Sequence, residues 1–205
     1  MRRPLPGPAA LLLALLLLPL PGRAQPDAVR TKQDPATTGQ AKPEEAPAGL
    51  DSLFDQLYAA ASPLEGRRIE GRIWQAWMQS GSDTVDALMK GGMTVMDKGD
   101  LKRAEDIFSA MIELQPDYAE AYNKRATVRF LAGNYAGSVA DIERTLKLEP
   151  RHFGALSGLG AIMERLDNLP EALRAWRRAL AANPFLADAP EKLKEIRRRI
   201  DASTL

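Results

Sequence analysis

Three prolines, Pro116, Pro150 and Pro184, stand 34 residues apart, and each closes a similar phrase: Ile112-Glu-Leu-Gln-Pro116, Leu146-Lys-Leu-Glu-Pro150 and Leu180-Ala-Ala-Asn-Pro184. A fixed interval of this length means that one supersecondary unit is copied along the chain, each copy burying its apolar face on the next. Other positions keep the interval. Phe108, Ile142 and Trp176 are large and apolar, whereas Gly92, Ala126 and Gly160, and likewise Ala104, Ser138 and Ala172, are small. Small residues belong where two helices cross closely, and the large one fills the gap between one pair and the next. Proline ends the second helix of each pair, because it lacks a backbone N–H and restrains the residue before it.

Turn signals divide each unit into two helices: Lys98-Gly99-Asp100, Gly133-Asn134 and Asp167-Asn168. Asp100, Asn134 and Asn168 are suited to cap the second helices. Asp117-Tyr-Ala-Glu120 reads as a capping box opening the first helix of the middle unit.

The period and the types at these positions resemble the tetratricopeptide repeat family over 85–118, 119–152 and 153–186, about half of the chain. Unit three matches best, with Leu156, Leu159-Gly160, Ala172, Trp176, Ala179 and Pro184. The middle unit departs from the pattern, with Arg125 where an apolar residue is usual and Thr145 where alanine is usual; unit one has Gly91 and Met111 there. These departures are expected to soften local packing without changing the fold. The resemblance implies an all-α chain, a right-handed superhelical solenoid of antiparallel helix pairs.

Residues 49–84 are expected to form a further N-terminal helical pair, a degenerate repeat or cap. Trp74 lies 34 residues before Phe108, and Phe54 lies 34 before Leu88. Leu50, Leu53, Phe54 and Leu57 share one helical face. Ser62-Pro-Leu-Glu65 opens a second helix carrying Ile69, Ile73, Trp74 and Trp77. Tyr58 stands where the family has a small residue, which predicts a different crossing. Residues 187–205 are expected to form a C-terminal capping helix from Ala189-Pro190, with Leu193, Ile196 and Ile200 as its apolar stripe and a polar outer face.

The segment 1–24 has the pattern of a secretory signal peptide: a basic start with Arg2-Arg3, a twelve-residue apolar run from Ala9 to Leu20, and Gly22-Arg23-Ala24 before cleavage. The run is shorter than the roughly 20 residues of a membrane-spanning helix. Arg2-Arg3 leaves Sec and twin-arginine export both open. Residues 25–48, rich in proline, alanine, threonine and charge, are expected to be a disordered linker. The chain is therefore expected to be exported to the periplasm.

Composition removes several functions. Of 28 basic residues, Arg2, Arg3 and Arg23 fall within 1–24, leaving 25 against 27 acidic ones. That balance lacks the basic footprint of a nucleic-acid binder. The absence of cysteine excludes disulfides, thiolate catalysis and Cys-based metal sites. The lone histidine, His152, is expected to be an exposed or half-packed turn residue, and it has neither a matched nucleophile motif nor companion zinc ligands. Enzyme activity, metal and cofactor are accordingly not expected.

The resemblance implies that the first helix of each unit lines a concave face, through places two, five, nine and twelve of the unit. These places hold Asp86, Met89, Met93 and Met96, then Glu120, Asn123, Thr127 and Phe130, then Gly154, Ser157, Ala161 and Glu164. The family's clamp for a peptide C-terminal carboxylate is absent, because its places hold Met89, Met93, Lys124, Gly154 and Gly158. Candidate partner-binding residues are Met89, Met93, Met96, Asn123, Lys124, Thr127, Phe130, Ser157 and Ala161. They suggest an adaptable, methionine-rich groove for a protein or peptide segment. Two alternatives stay open at this point: a groove filled by the chain's own N-terminal helices, and methionines that belong to the core. The expected function is a non-enzymatic interaction module or scaffold of the cell envelope. The competing reading is an envelope-assembly component that touches the membrane surface through Arg197-Arg198-Arg199, although the acids nearby favour a solvated face.

Overall fold

The 34-residue interval is realised as three helix pairs in a computed structural model that describes residues 49–203. The signal peptide and linker expected at 1–24 and 25–48 lie outside the described residues. The repeat pairs are α3 (Asp83–Asp97) with α4 (Leu101–Leu114), α5 (Ala119–Leu131) with α6 (Tyr135–Leu148), and α7 (Phe153–Arg165) with α8 (Leu169–Ala182). They are preceded by α1 (Leu50–Ala59) and α2 (Pro63–Trp77) and followed by α9 (Ala189–Ser203). Every described element is helical. Each repeat helix packs on its own partner, α4 packs on α5, α5 and α6 pack on α7, and α9 packs on α8.

The periodic positions do what their sizes require. Phe108, Ile142 and Trp176 are buried, as are Ala104, Ser138 and Ala172. At Gly92 a Cβ would lie 2.7 Å from the Phe108 ring, and at Gly160 it would lie 2.6 Å from the Trp176 indole. Ser138 adds a hydrogen bond across the crossing, its hydroxyl donating to the Ala126 carbonyl at 2.7 Å. Asp100, Asn134 and Asn168 accept from the backbone N–H three residues on and cap α4, α6 and α8. The turns before these caps use Gly99, Gly133 and Asp167, all at positive φ and all in the 34-residue phase.

Three expectations change. The box at Asp117 does not form: the residue preceding α5 is Tyr118, with no side-chain cap, because the Glu120 carboxylate turns inward to other partners. The middle unit is not softened by Arg125 and Thr145. Arg125 donates from Nε and Nη2 to Asp141 at 2.9 and 2.8 Å, and Arg129 reaches the same carboxylate at 2.9 Å and Glu105 at 2.8 Å. Thr145 sends its hydroxyl to the Asp141 carbonyl at 3.0 Å. This charged seam lies between the apolar cluster around Met89 and Phe108 and the cluster around Ile142 and Ile162.

The third change concerns α1 and α2. They form a helix pair, but their buried residues Leu53, Phe54, Leu57, Ile69, Ile73 and Trp77 share a core with Phe153, Leu156, Trp176, Leu193 and Ile196 at the far end of the chain. The buried residues of α3 cluster instead with α4 and the start of α5. The pair is thus a strap laid on later repeats, not one more unit stacked beneath α3. Tyr58, in place of a small crossing residue, is 51% exposed and packs its ring against Phe54 of its own helix.

Candidate functional site

The starts of α5 and α7 build a buried polar cluster under the strap. Glu120, in the first turn of α5, is 1% exposed. Its carboxylate accepts from Lys124 Nζ at 3.0 Å, from Asn123 Nδ2 at 3.2 Å and from His152 Nε2 at 2.7 Å. His152, expected at the surface of a turn, is fully buried. Its Nδ1 accepts from the Ala155 N–H at 3.1 Å and so caps α7. That bond requires a lone pair on Nδ1, which places the proton of a neutral ring on Nε2, facing Glu120. Burial opposes ionisation of Glu120, but the His152 hydrogen bond and the Lys124 ammonium outweigh it and hold the carboxyl below its ordinary value.

The strap roofs this cluster with two indoles. Trp77 stacks on the His152 ring at 4.0 Å between centroids and 8° between planes. Trp74 stands edge-on to Phe153 at 5.3 Å, and Lys124 Nζ lies 5.6 Å above its ring. Gly154 makes room: a Cβ there would lie 2.4 Å from Trp74 Cη2. Tyr118 donates its hydroxyl to the Trp77 carbonyl at 3.0 Å, and burial is the main cause that raises its pKa well above the usual phenol value.

Beyond the strap a cleft of about 120 Å³ is open between α5 and α7. Asn123, Thr127 and Phe130 line one side and Gly154, Gly158 and Ala161 the other, with Ser138 and Ile142 below. The concave-face residues therefore divide. Asn123, Thr127, Phe130 and Ala161 meet in this cleft. Lys124 sits at its strapped end, bound to Glu120. Ser157 donates its hydroxyl to the Phe153 carbonyl at 2.8 Å. Met89 and Met93 border a separate hollow on α3 with Asp86, Lys90 and Asp97. Met89 is 1% exposed and belongs to the core, against which Met93 and Met96 pack. Trp74, Trp77 and His152 were not among the site residues expected from sequence. The pair of indoles three residues apart, and the His152-Phe153-Gly154 run across the junction of units two and three, were the available signal.

A chain of paired helices repeated at 34 residues, with its interhelical face open on one side, belongs to the class of helical-repeat solenoids. Comparison with known proteins narrows this. The tetratricopeptide repeat model matches residues 89–146 and 132–187. A tetratricopeptide-repeat-containing protein of Rhizobium etli is 39% identical over 151 residues, 74% of each chain. The protein belongs to the tetratricopeptide repeat family. Human tetratricopeptide repeat protein 36 is 36% identical over 98 residues, 48% of this chain and 52% of its own length. Among solved structures, the first such domain of Spaghetti (RPAP3), bound to the HSP90 peptide SRMEEVD, superposes with a TM-score of 0.55 at 22% identity, covering 57% of this chain and 93% of that domain. The TPR2B domain of yeast Sti1, in complex with an Hsp70 peptide, gives 0.54 at 15% identity over 58% of this chain and 99% of that domain.

Proposed function

We propose that this protein is a non-enzymatic interaction module that holds a segment of another protein in the cleft between α5 and α7. The observation that carries the reading is the cleft itself: a small apolar notch with a glycine and alanine wall at Gly154, Gly158 and Ala161, and polar groups at Asn123 and Thr127. Such a notch accepts an apolar side chain while the neighbouring polar groups orient its backbone. The relatives found in complex with HSP90 and Hsp70 peptides support a peptide partner for the fold. The carboxylate clamp is missing here: Gly154 and Gly158 offer no charge, and Lys124 is committed to Glu120. The segment bound is therefore an internal, apolar one.

The site of action in this reading is the cell envelope, reached through a signal peptide cleaved after Ala24; its support is the pattern of residues 1–24. Recovery of the exported protein with an N-terminus at Gln25 would establish it, and retention of residues 1–24 would remove it. Membrane attachment through α9 is the weaker reading, since Arg198 pairs with Glu191 and Glu195, and Arg199 with Asp167. The cleft is tested by panning a displayed library of short peptides on the protein and measuring selected binders by calorimetry. Thr127→Arg with Ala161→Arg is expected to abolish binding with the melting temperature unchanged; equal affinity for the doubly substituted protein would refute the assignment.

A further inference from the structure

The strap sits on the solenoid as a bound helix sits on a receptor. Its α2 helix meets the starts of two repeat helices and of the terminal helix: the Trp77 carbonyl meets Tyr118 before α5, Trp77 and Trp74 meet His152 and Phe153 at α7, and Gly66 lies against the Phe185 ring before α9. The receiving surface is shaped for indoles. Gly154 leaves a socket that any side chain would fill, and the imidazole of His152 is held flat under Trp77 by its bonds to Glu120 and the Ala155 N–H.

Two further observations set this contact apart from the repeat packing. First, the strap is joined to α3 through residues 78–82 and shares its core with α7, α8 and α9 rather than with α3. Second, the buried side-chain nitrogens and oxygens that find no hydrogen-bond partner among the described residues are Trp77 Nε1 and Asn183 Nδ2. The first belongs to the strap. The second lies two residues before the phenyl ring that covers Gly66. A donor left unmet at a docked surface, as Trp77 Nε1 is, regains water when the surfaces part, so this interface is weaker than its apolar area implies.

We infer that α1–α2 is a displaceable occupant of a helix-binding face, and that the partner it yields to is an amphipathic helix presenting two aromatic rings three residues apart. The covered face adjoins the open cleft at Gly154, and the Thr127→Arg and Ala161→Arg pair, which lies in the cleft wall away from the strap contacts, tells the two readings apart. A tethered occupant acts at an effective concentration on the order of millimolar, and a free helix competes poorly with it until its anchors are cut.

The test uses the full chain carrying Trp74→Ala and Trp77→Ala, and a labelled synthetic peptide of residues 49–79 with the native sequence as probe. Hydrogen exchange of the substituted chain is expected to lose protection across 50–77 and keep it across α3 to α8. The peptide is expected to bind this chain with one-to-one stoichiometry and at least about tenfold more tightly than the native chain. Adding Gly154→Ala is expected to abolish that binding, since the methyl group fills the indole socket. Two results would overturn the inference: simultaneous loss of protection over 50–182, which makes the strap part of one core, or a protected solenoid that fails to bind the peptide.

Discussion

Glu120 shows how much of this protein is decided by single side chains. It is a carboxylate with almost no exposure, satisfied by Lys124, Asn123 and His152 together. Because its pKa is lowered from 4.5 in the folded state, its contribution to stability is complete above the ordinary glutamate value and is lost as pH falls through the lower folded value. Thermal melts between pH 7 and pH 3 are expected to show Glu120→Gln less stable than the native chain at neutral pH, with the gap closing below about pH 4.5. A constant gap would mean that the carboxylate is not ionised in the cluster. Asp141 is the second such residue, receiving both Arg125 and Arg129 while 3% exposed. Removing one partner of a buried ion pair strands the others, so Asp141→Ala is expected to lose about 3 kcal/mol in denaturant unfolding.

At the scale of the helix, the sequence was most legible where a residue acts on its own backbone neighbours. Asn168 caps α8 through the Glu171 N–H as its type and place indicated; Asn168→Ala is expected to lower stability by about 1 kcal/mol. The crossings were legible too, because Gly92 and Gly160 have no volume and Phe108 and Trp176 lie directly over them. The reading failed where a side chain serves a distant helix. Asp117-Tyr-Ala-Glu120 has the spacing of a capping box, but Glu120 is drawn away by His152, 32 residues on. His152 looks like a turn residue because only the tertiary structure brings Trp77 over it. The methionines of α3 fit a groove by position, yet Met89 is core. Periodicity identifies which face of a helix is apolar; it does not say which apolar residues remain uncovered.

Taken whole, the described chain combines two kinds of packing. From α3 to α9 each element rests on its neighbours in sequence, the arrangement from which repeat proteins draw stability unit by unit. The repeat interval made this part legible without tertiary information. The strap breaks that rule, and the interval misplaced it, because Trp74 and Phe54 fall in phase although their partners lie in α7 and beyond. Native-state hydrogen exchange of the unsubstituted protein is expected to resolve two levels of opening: a lower free energy for α1 and α2, and a higher one for α5 to α8. Identical protection throughout would mean a single cooperative unit.

The pairing of Trp77 with His152 and of Gly66 with Phe185 also bears on how the chain reaches this state. These contacts join residues 75 and 119 positions apart, whereas repeat contacts span a few tens at most. Closing long loops is slow relative to zipping neighbouring helices together. On a ribosome, the strap emerges before the repeats that it rests on and finds its seat after them, since that seat is complete only once Phe185 has been made. Refolding should therefore show helix formation first and a later phase in which tryptophan fluorescence changes while helical circular dichroism stays flat, a phase that vanishes when Trp74 and Trp77 are replaced.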